Sequence, residues 1–100
     1  MNTKELASIY KALSNENRLE IYLQILNSYE ESFDTGCECF VTEIIGKLKI
    51  GAPTISHHLK ELTNAGLVIT EKKGKFLVAR INEELLKELN NSLKIIRESK

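Results

Sequence analysis

The segment at 52–68, APTISHHLKELTNAGLV, constrains this chain more than any other. Pro53 suits the first turn of a helix, where its missing N–H has no intrahelical partner to lose. Ile55, Leu59 and Leu62 follow at i, i+4 and i+7, the spacing of one buried helix face. Gly66 stands where a helix can end in a left-handed residue. Two alternating runs come next, Leu67 to Lys73 and Lys75 to Ile81, and read as strands folded back at Lys73-Gly74-Lys75. A helix stopped by glycine and followed at once by a lysine-tipped hairpin leaves few architectures open.

The rest of the chain narrows them. Leu6, Ile9, Tyr10 and Leu13 predict a first helix over 3–13. Asn15 or Ser14 caps a second, which is apolar at Leu19, Ile21, Tyr22, Leu23, Ile25 and Leu26 and so suits a central position. That helix is expected to fade near Asn27, and the acidic stretch SYEESFDTGC at 28–37, broken by Gly36, reads as a loop. Cys39 to Val41 reads as a short extended segment. Thr42 caps a third helix with Ile44, Ile45 and Leu48 inward, ended by Gly51. Asn82 caps a last helix carrying Leu85, Leu86, Leu89, Leu93 and Ile96.

The order is mainly α with a small β-hairpin. Two helices at 42–49 and 52–65, joined by a tight glycine-bearing turn, form a helix-turn-helix, and the hairpin is its wing. The fold class is therefore a winged helix-turn-helix: four helices, a hairpin wing and a C-terminal fifth helix. Its 100 residues make one domain, residues 1–100, with a thin core that a second subunit would extend. Leu85, Leu89, Leu93 and Ile96 form a long apolar stripe, for which Leu6, Ile9 and Leu13 offer a partner surface.

Composition excludes several classes. No apolar run is long enough to span a bilayer and the N-terminus is polar, so a cytoplasmic protein is expected. The chain carries no nucleophile–base–orienter set and no phosphate-binding loop, so an enzyme is not. Formal net charge is zero, yet Lys47, Lys49, Lys60, Lys72, Lys73 and Lys75 gather around the helix-turn-helix, against only Glu61 and Glu71. One face can be basic in a neutral molecule.

In such a motif the second helix enters the major groove of double-stranded DNA. Its outward positions here are Pro53, Thr54, Ser56, His57, Lys60 and Asn64. Thr54 and Ser56 are small enough for close approach to phosphates or base edges, and His57 can donate to either. Lys60 suits a phosphate. Lys72, Lys73 and Lys75 at the hairpin tip suit the backbone of an adjacent groove, although lysines also keep edge strands from pairing. His58 falls on the inward side, as a packing or hydrogen-bonding residue. Adjacent histidines point about 100° apart on a helix, so His57 and His58 do not share an ion.

The chain resembles the ArsR/SmtB family of winged helix-turn-helix repressors. KALSNENRLEIYLQIL at 11–26 is similar to the family's Ala-Leu-x-x-x-x-Arg-Leu segment, with Arg18 and Leu19. Ser56, His58, Leu59, Leu62, Ala65, Gly66 and Leu67 match its recognition-helix pattern, and EKKGKFLVARIN at 71–82 its wing. The resemblance implies a homodimer joined through the first and last helices. It also implies an inverted-repeat operator and release by an effector.

Members of that family commonly sense through a Cys-x-Cys pair at the third helix or through Asp, His and Glu on the last. The last helix here has neither histidine nor aspartate. Cys37 and Cys39 resemble the thiol pair but lie about three residues before the family register, which falls on Phe40 and Thr42, and a third thiolate is missing. A disulfide between them would be strained and close almost no loop. They are candidates for a soft metal or metalloid ion, for a redox pair, or for two incidental cysteines. Two further readings stand beside the effector-released repressor: a winged-helix repressor with no small effector, and a winged-helix module for protein–protein contact.

Overall fold

A computed structural model of the chain describes residues 2–35 and 39–98. Within these, the side chains of residues 29–35, 39, 40, 45 and 93–98 lie outside the description. The elements are α1 (Thr3–Leu13), α2 (Glu16–Thr35), β1 (Cys39–Phe40), α3 (Val41–Lys47), α4 (Ala52–Asn64), β2 (Val68–Lys73), β3 (Phe76–Ile81) and α5 (Glu83–Glu98). This is a winged helix-turn-helix, with α3 and α4 as the pair and β2–β3 as the wing.

Local capping starts the helices. The Asn2 side chain accepts from the Glu5 N–H at 2.8 Å and opens α1. Asn15 rather than Ser14 caps α2, accepting from the Arg18 N–H at 3.0 Å; Ser14 turns back and donates to the Lys11 carbonyl. Here α2 departs from expectation. It continues through Thr35 instead of fading near Asn27, so 28–35 is helix and not loop. Neither proline nor glycine interrupts the run before Gly36, and an acidic surface is no obstacle to a helix.

The fourth helix ends as its glycine requires. The Gly66 N–H donates to the Thr63 carbonyl and the Leu67 N–H to the Leu62 carbonyl, both at 3.0 Å, with Gly66 at φ +81°. That double closure is the Schellman arrangement, and buried Leu62 and Leu67 supply its apolar contact. The chain thereby reverses straight into β2. In the wing, Lys73 pairs with Phe76 across a two-residue turn, Gly74-Lys75, so β3 begins one residue later than expected. Gly74 has φ +63° and Lys75 does not share it, the pattern of a hairpin turn with glycine in its first central position.

The extended segment near Cys39 has a partner that periodicity does not reveal. β1 pairs antiparallel with β3, Cys39 opposite Ala79 and Phe40 opposite Val78, making a three-stranded sheet in the order β1-β3-β2. It anchors the start of α3 to the wing.

One core joins these parts. Ile21 and Ile25 of α2, Ile44 of α3, Ile55 and Leu62 of α4, and Leu67, Val68 and Val78 around the sheet are each at most 2% exposed. Burying each such side chain contributes about 1.5–3 kcal/mol over leaving it in water. The described part of the stripe expected to face a partner subunit packs inside the chain. Ile9 and Leu89 are buried, and Leu6, Leu13, Leu85 and Leu86 pack against the same core. Leu93 and Ile96 have side chains outside the described residues. The large apolar residues of α1 and α2 left exposed, among those described, are Tyr10, Leu19 and Leu23.

Candidate nucleic-acid interface

Burial divides α4 into two faces. Ile55, His58, Leu59 and Leu62 are turned to the core, while Pro53, Thr54, Ser56, His57, Lys60 and Asn64 are exposed. The division follows the sequence spacing, because the apolar anchors recur every three or four residues. Gly51 at the N-cap supplies no side-chain hydrogen bond, so first-turn N–H groups remain open to an oxygen acceptor. Small hydroxyl and imidazole groups thus project from the end of the helix that a groove would meet first.

The wing carries Lys72, Lys73 and Lys75, all exposed. Lys75 Nζ lies 5.7 Å from the centre of the Phe76 ring, which holds the ammonium over the hairpin tip. The acidic residue of this hairpin, Glu71, accepts from Arg80 Nη2 at 2.6 Å. An exposed pair of this kind adds little stability. Its effect is to keep a carboxylate occupied beside the exposed lysines. Helix and wing both expose groups able to donate hydrogen bonds to an oxygen acceptor.

Behind the exposed face of α4 lies an arrangement that spacing does not disclose. Arg18 of α2 donates from Nη1 to the Ala12 carbonyl at 3.1 Å and from Nε to His58 Nδ1 at 3.4 Å. His58 is 6% exposed, and burial, the Arg18 charge and then His57 hold its pKa below the ordinary imidazole value, with Glu61 opposing. His58 is thus the inward hydrogen-bonding residue that its register implies. In the sequence Arg18 stands only within the family resemblance; its contact with His58, forty positions on, has no local signal. At the other end of α4, Asn82 donates from Nδ2 to the Gly66 carbonyl at 2.8 Å and accepts from the Leu85 N–H at 3.3 Å.

Cys37 lies outside the described residues. Cys39 is placed by its backbone alone, in β1 opposite Ala79. Among the described residues, no group of three or more His, Cys, Asp or Glu side chains is arranged to hold a metal ion. No described helix is long and apolar enough to cross a membrane.

Comparison with known proteins bears on the family and the fold. The family model for bacterial regulatory proteins of the arsR family matches residues 15–70. The arsenical resistance operon repressor of Staphylococcus xylosus is 37% identical over 99 residues, covering 99% of this chain and 86% of that protein. A cadmium resistance transcriptional regulatory protein CadC homolog of Staphylococcus aureus is 33% identical over 88 residues, 88% of this chain and 66% of that one. Among solved structures, an ArsR-like transcriptional regulator from Rhodococcus superposes with a TM-score of 0.73 at 26% identity, covering 95% of this chain and 81% of its own. A homodimeric winged helix-turn-helix DNA-binding domain from Mycobacterium bovis has the same fold, with a TM-score of 0.67 at 24% identity, covering 95% of this chain and 80% of that one.

Proposed function

The chain belongs to the arsR family of bacterial regulatory proteins, and from that premise we propose a homodimeric repressor that reads an inverted-repeat operator with α4 and leaves it when a soft metal or metalloid ion binds at Cys37 and Cys39. It is a DNA-binding transcription regulator, not an enzyme. The observation that carries the reading is the division of α4: its buried anchors leave Pro53, Thr54, Ser56, His57 and Lys60 exposed together. Thr54, Ser56 and His57 address base edges and nearby phosphates. Lys60 and the wing residues Lys72, Lys73 and Lys75 hold the backbone.

Residues 1–100 act as one winged domain in the cytoplasm, where operator DNA is. The dimer is joined through α1 and α5. Exposed Tyr10, Leu19 and Leu23 favour a second copy, since they leave apolar surface on α1 and α2 uncovered. Its two α4 helices would meet half-sites about one helical turn apart, roughly 34–36 Å. A protein-docking module is disfavoured by the small polar face of α4 and the lysines of the wing, since interface centres are depleted in charge.

The effector belongs to thiol chemistry. Relatives named for arsenical and cadmium resistance favour a soft ion over an oxidant. Because Cys39 leads into α3 through a two-residue strand, an ion held there would act on the first helix of the motif. The test is operator affinity of the parent and of a Cys37→Ser, Cys39→Ser double variant, each with arsenite, cadmium, zinc or peroxide. Release by arsenite or cadmium in the parent alone is the expected result. Identical behaviour of both proteins under every condition would leave a repressor without a thiol effector.

A further inference from the structure

We propose that Arg18 is a positioning residue for DNA recognition, holding α4 through a neutral His58, so that operator affinity falls when His58 takes up a proton. The proposal rests on α4 being the DNA-reading helix.

A single guanidinium joins three helices here. It is carried by α2, its Nη1 meets the Ala12 carbonyl at the end of α1, and its Nε meets His58 on α4. Its planar fork fixes both directions at once, which a lysine ammonium cannot do. Because a guanidinium only donates, His58 must offer a lone pair at Nδ1 and carry its proton on Nε2. The site therefore accepts the neutral ring in one tautomer.

Protonation reverses that contact. Nδ1–H then faces Nε–H, two cations stand side by side, and a ring only 6% exposed has little water to turn to. The charges acting on His58 are Arg18 from α2 and His57 and Glu61 from its own helix. From α1, Lys11 lines the cleft of about 290 Å³ beside Arg18, together with Ser8, Glu61 and Asn64. β2 carries its charges, Glu71, Lys72 and Lys73, in the half toward the hairpin tip. Of these groups only Glu61 acts to favour the protonated ring, and the pKa of His58 is lowered despite it. Relief requires His58 to move, and Ser56 and His57 precede it directly on the helix. Reading groups must be held within about 0.5 Å of their working positions, so a small shift of this turn is enough to weaken base contacts.

The test is operator affinity by fluorescence anisotropy between pH 8 and pH 5.5 at constant ionic strength, referred to the folded fraction measured by circular dichroism. His57→Gln serves as the background, so that His58 is the one histidine left in the sequence. Into it goes His58→Asn, whose carbonyl oxygen accepts near the place of Nδ1 and does not titrate. Both proteins should bind alike at pH 8. As pH falls through the lowered pKa of His58, the background should lose affinity, by as much as about tenfold per pH unit per subunit for one linked proton, while the His58→Asn protein stays flat. Parallel profiles overturn the proposal. A residue that serves only folding would change the folded fraction and not the affinity of folded molecules. If His58→Asn does not fold, the His58 ring is titrated by NMR in the background protein, free and operator-bound. Its midpoint should fall on binding, and an unchanged or raised midpoint overturns the proposal. Ser56→Ala at pH 8 reports on the reading beneath it: undiminished operator affinity would remove α4 as the reader, an outcome distinct from parallel pH profiles.

Discussion

Replacing Asn82 with alanine should lower the unfolding free energy by about 1.5–2 kcal/mol. Two bonds are lost together. As N-cap of α5, Asn82 accepts from the Leu85 N–H, and at 3.3 Å this bond belongs at the lower end of the capping range, about 0.5–1 kcal/mol. Its Nδ2 also donates to the Gly66 carbonyl at 2.8 Å, a part-buried bond worth about 1 kcal/mol. Serine separates the two. Its hydroxyl caps a helix but is too short to reach Gly66, so Asn82→Ser should cost about 1 kcal/mol, near the value of the junction bond alone. The assay is urea unfolding at one fixed protein concentration, because dimerisation links stability to concentration. If alanine and serine destabilised equally, the cap would carry nothing. If serine matched the parent, the link between α5 and the end of α4 would carry nothing. Both variants within a few tenths of the parent would refute the reasoning entirely.

Other outcomes follow from the same geometry. Ser56→Ala or His57→Ala should cost on the order of 1–3 kcal/mol in operator binding where the side chain reads a base, seen as loss of discrimination between operator and mutated sites. Lys75→Ala should weaken binding to all sequences alike and lower the slope of log affinity against log salt by about 0.9, measured in a salt titration. Leu62→Ala should destabilise the fold by about 2–5 kcal/mol, since the side chain is fully buried in the core. For pH, the sign follows from His58, whose folded-state pKa lies below its ordinary value. The unfolded chain then binds the proton more readily. The His58 contribution to stability is therefore complete above about pH 6.5 and is lost as pH falls toward the depressed folded value, which urea unfolding of the parent and His58→Asn at pH 7.5 and 5.5 would reveal.

The amino-acid sequence by itself determines the two faces of α4, because burial along one helix is a local periodicity. Ile55, Leu59 and Leu62 fix which way the helix lies, and Thr54, Ser56, His57 and Lys60 then have only the outside left. Gly66 and Gly74 mark reversals for a reason equally local, since both adopt left-handed backbone conformations. The wing, the helix-turn-helix and the outward candidates for DNA contact are therefore legible in the residues. The length of α2 is not, since nothing between Asn27 and Thr35 favours helix over loop strongly enough to decide it.

What the tertiary structure alone decided are contacts between residues far apart in the chain. β1 is two residues long, and the extended segment read there from the sequence has no local sign of its partner; only the neighbouring edge of β3 makes it a strand. Ile9 and Leu89 read from the sequence as surface for a partner subunit, and packing assigns them to the chain's own core. Arg18 and His58 are forty positions apart, and neither residue type announces the other. Periodicity reports which side of an element is apolar, because neighbours along the chain share that element's geometry. Which surfaces then meet depends on how the elements close upon one another, and that is set by the fold as a whole.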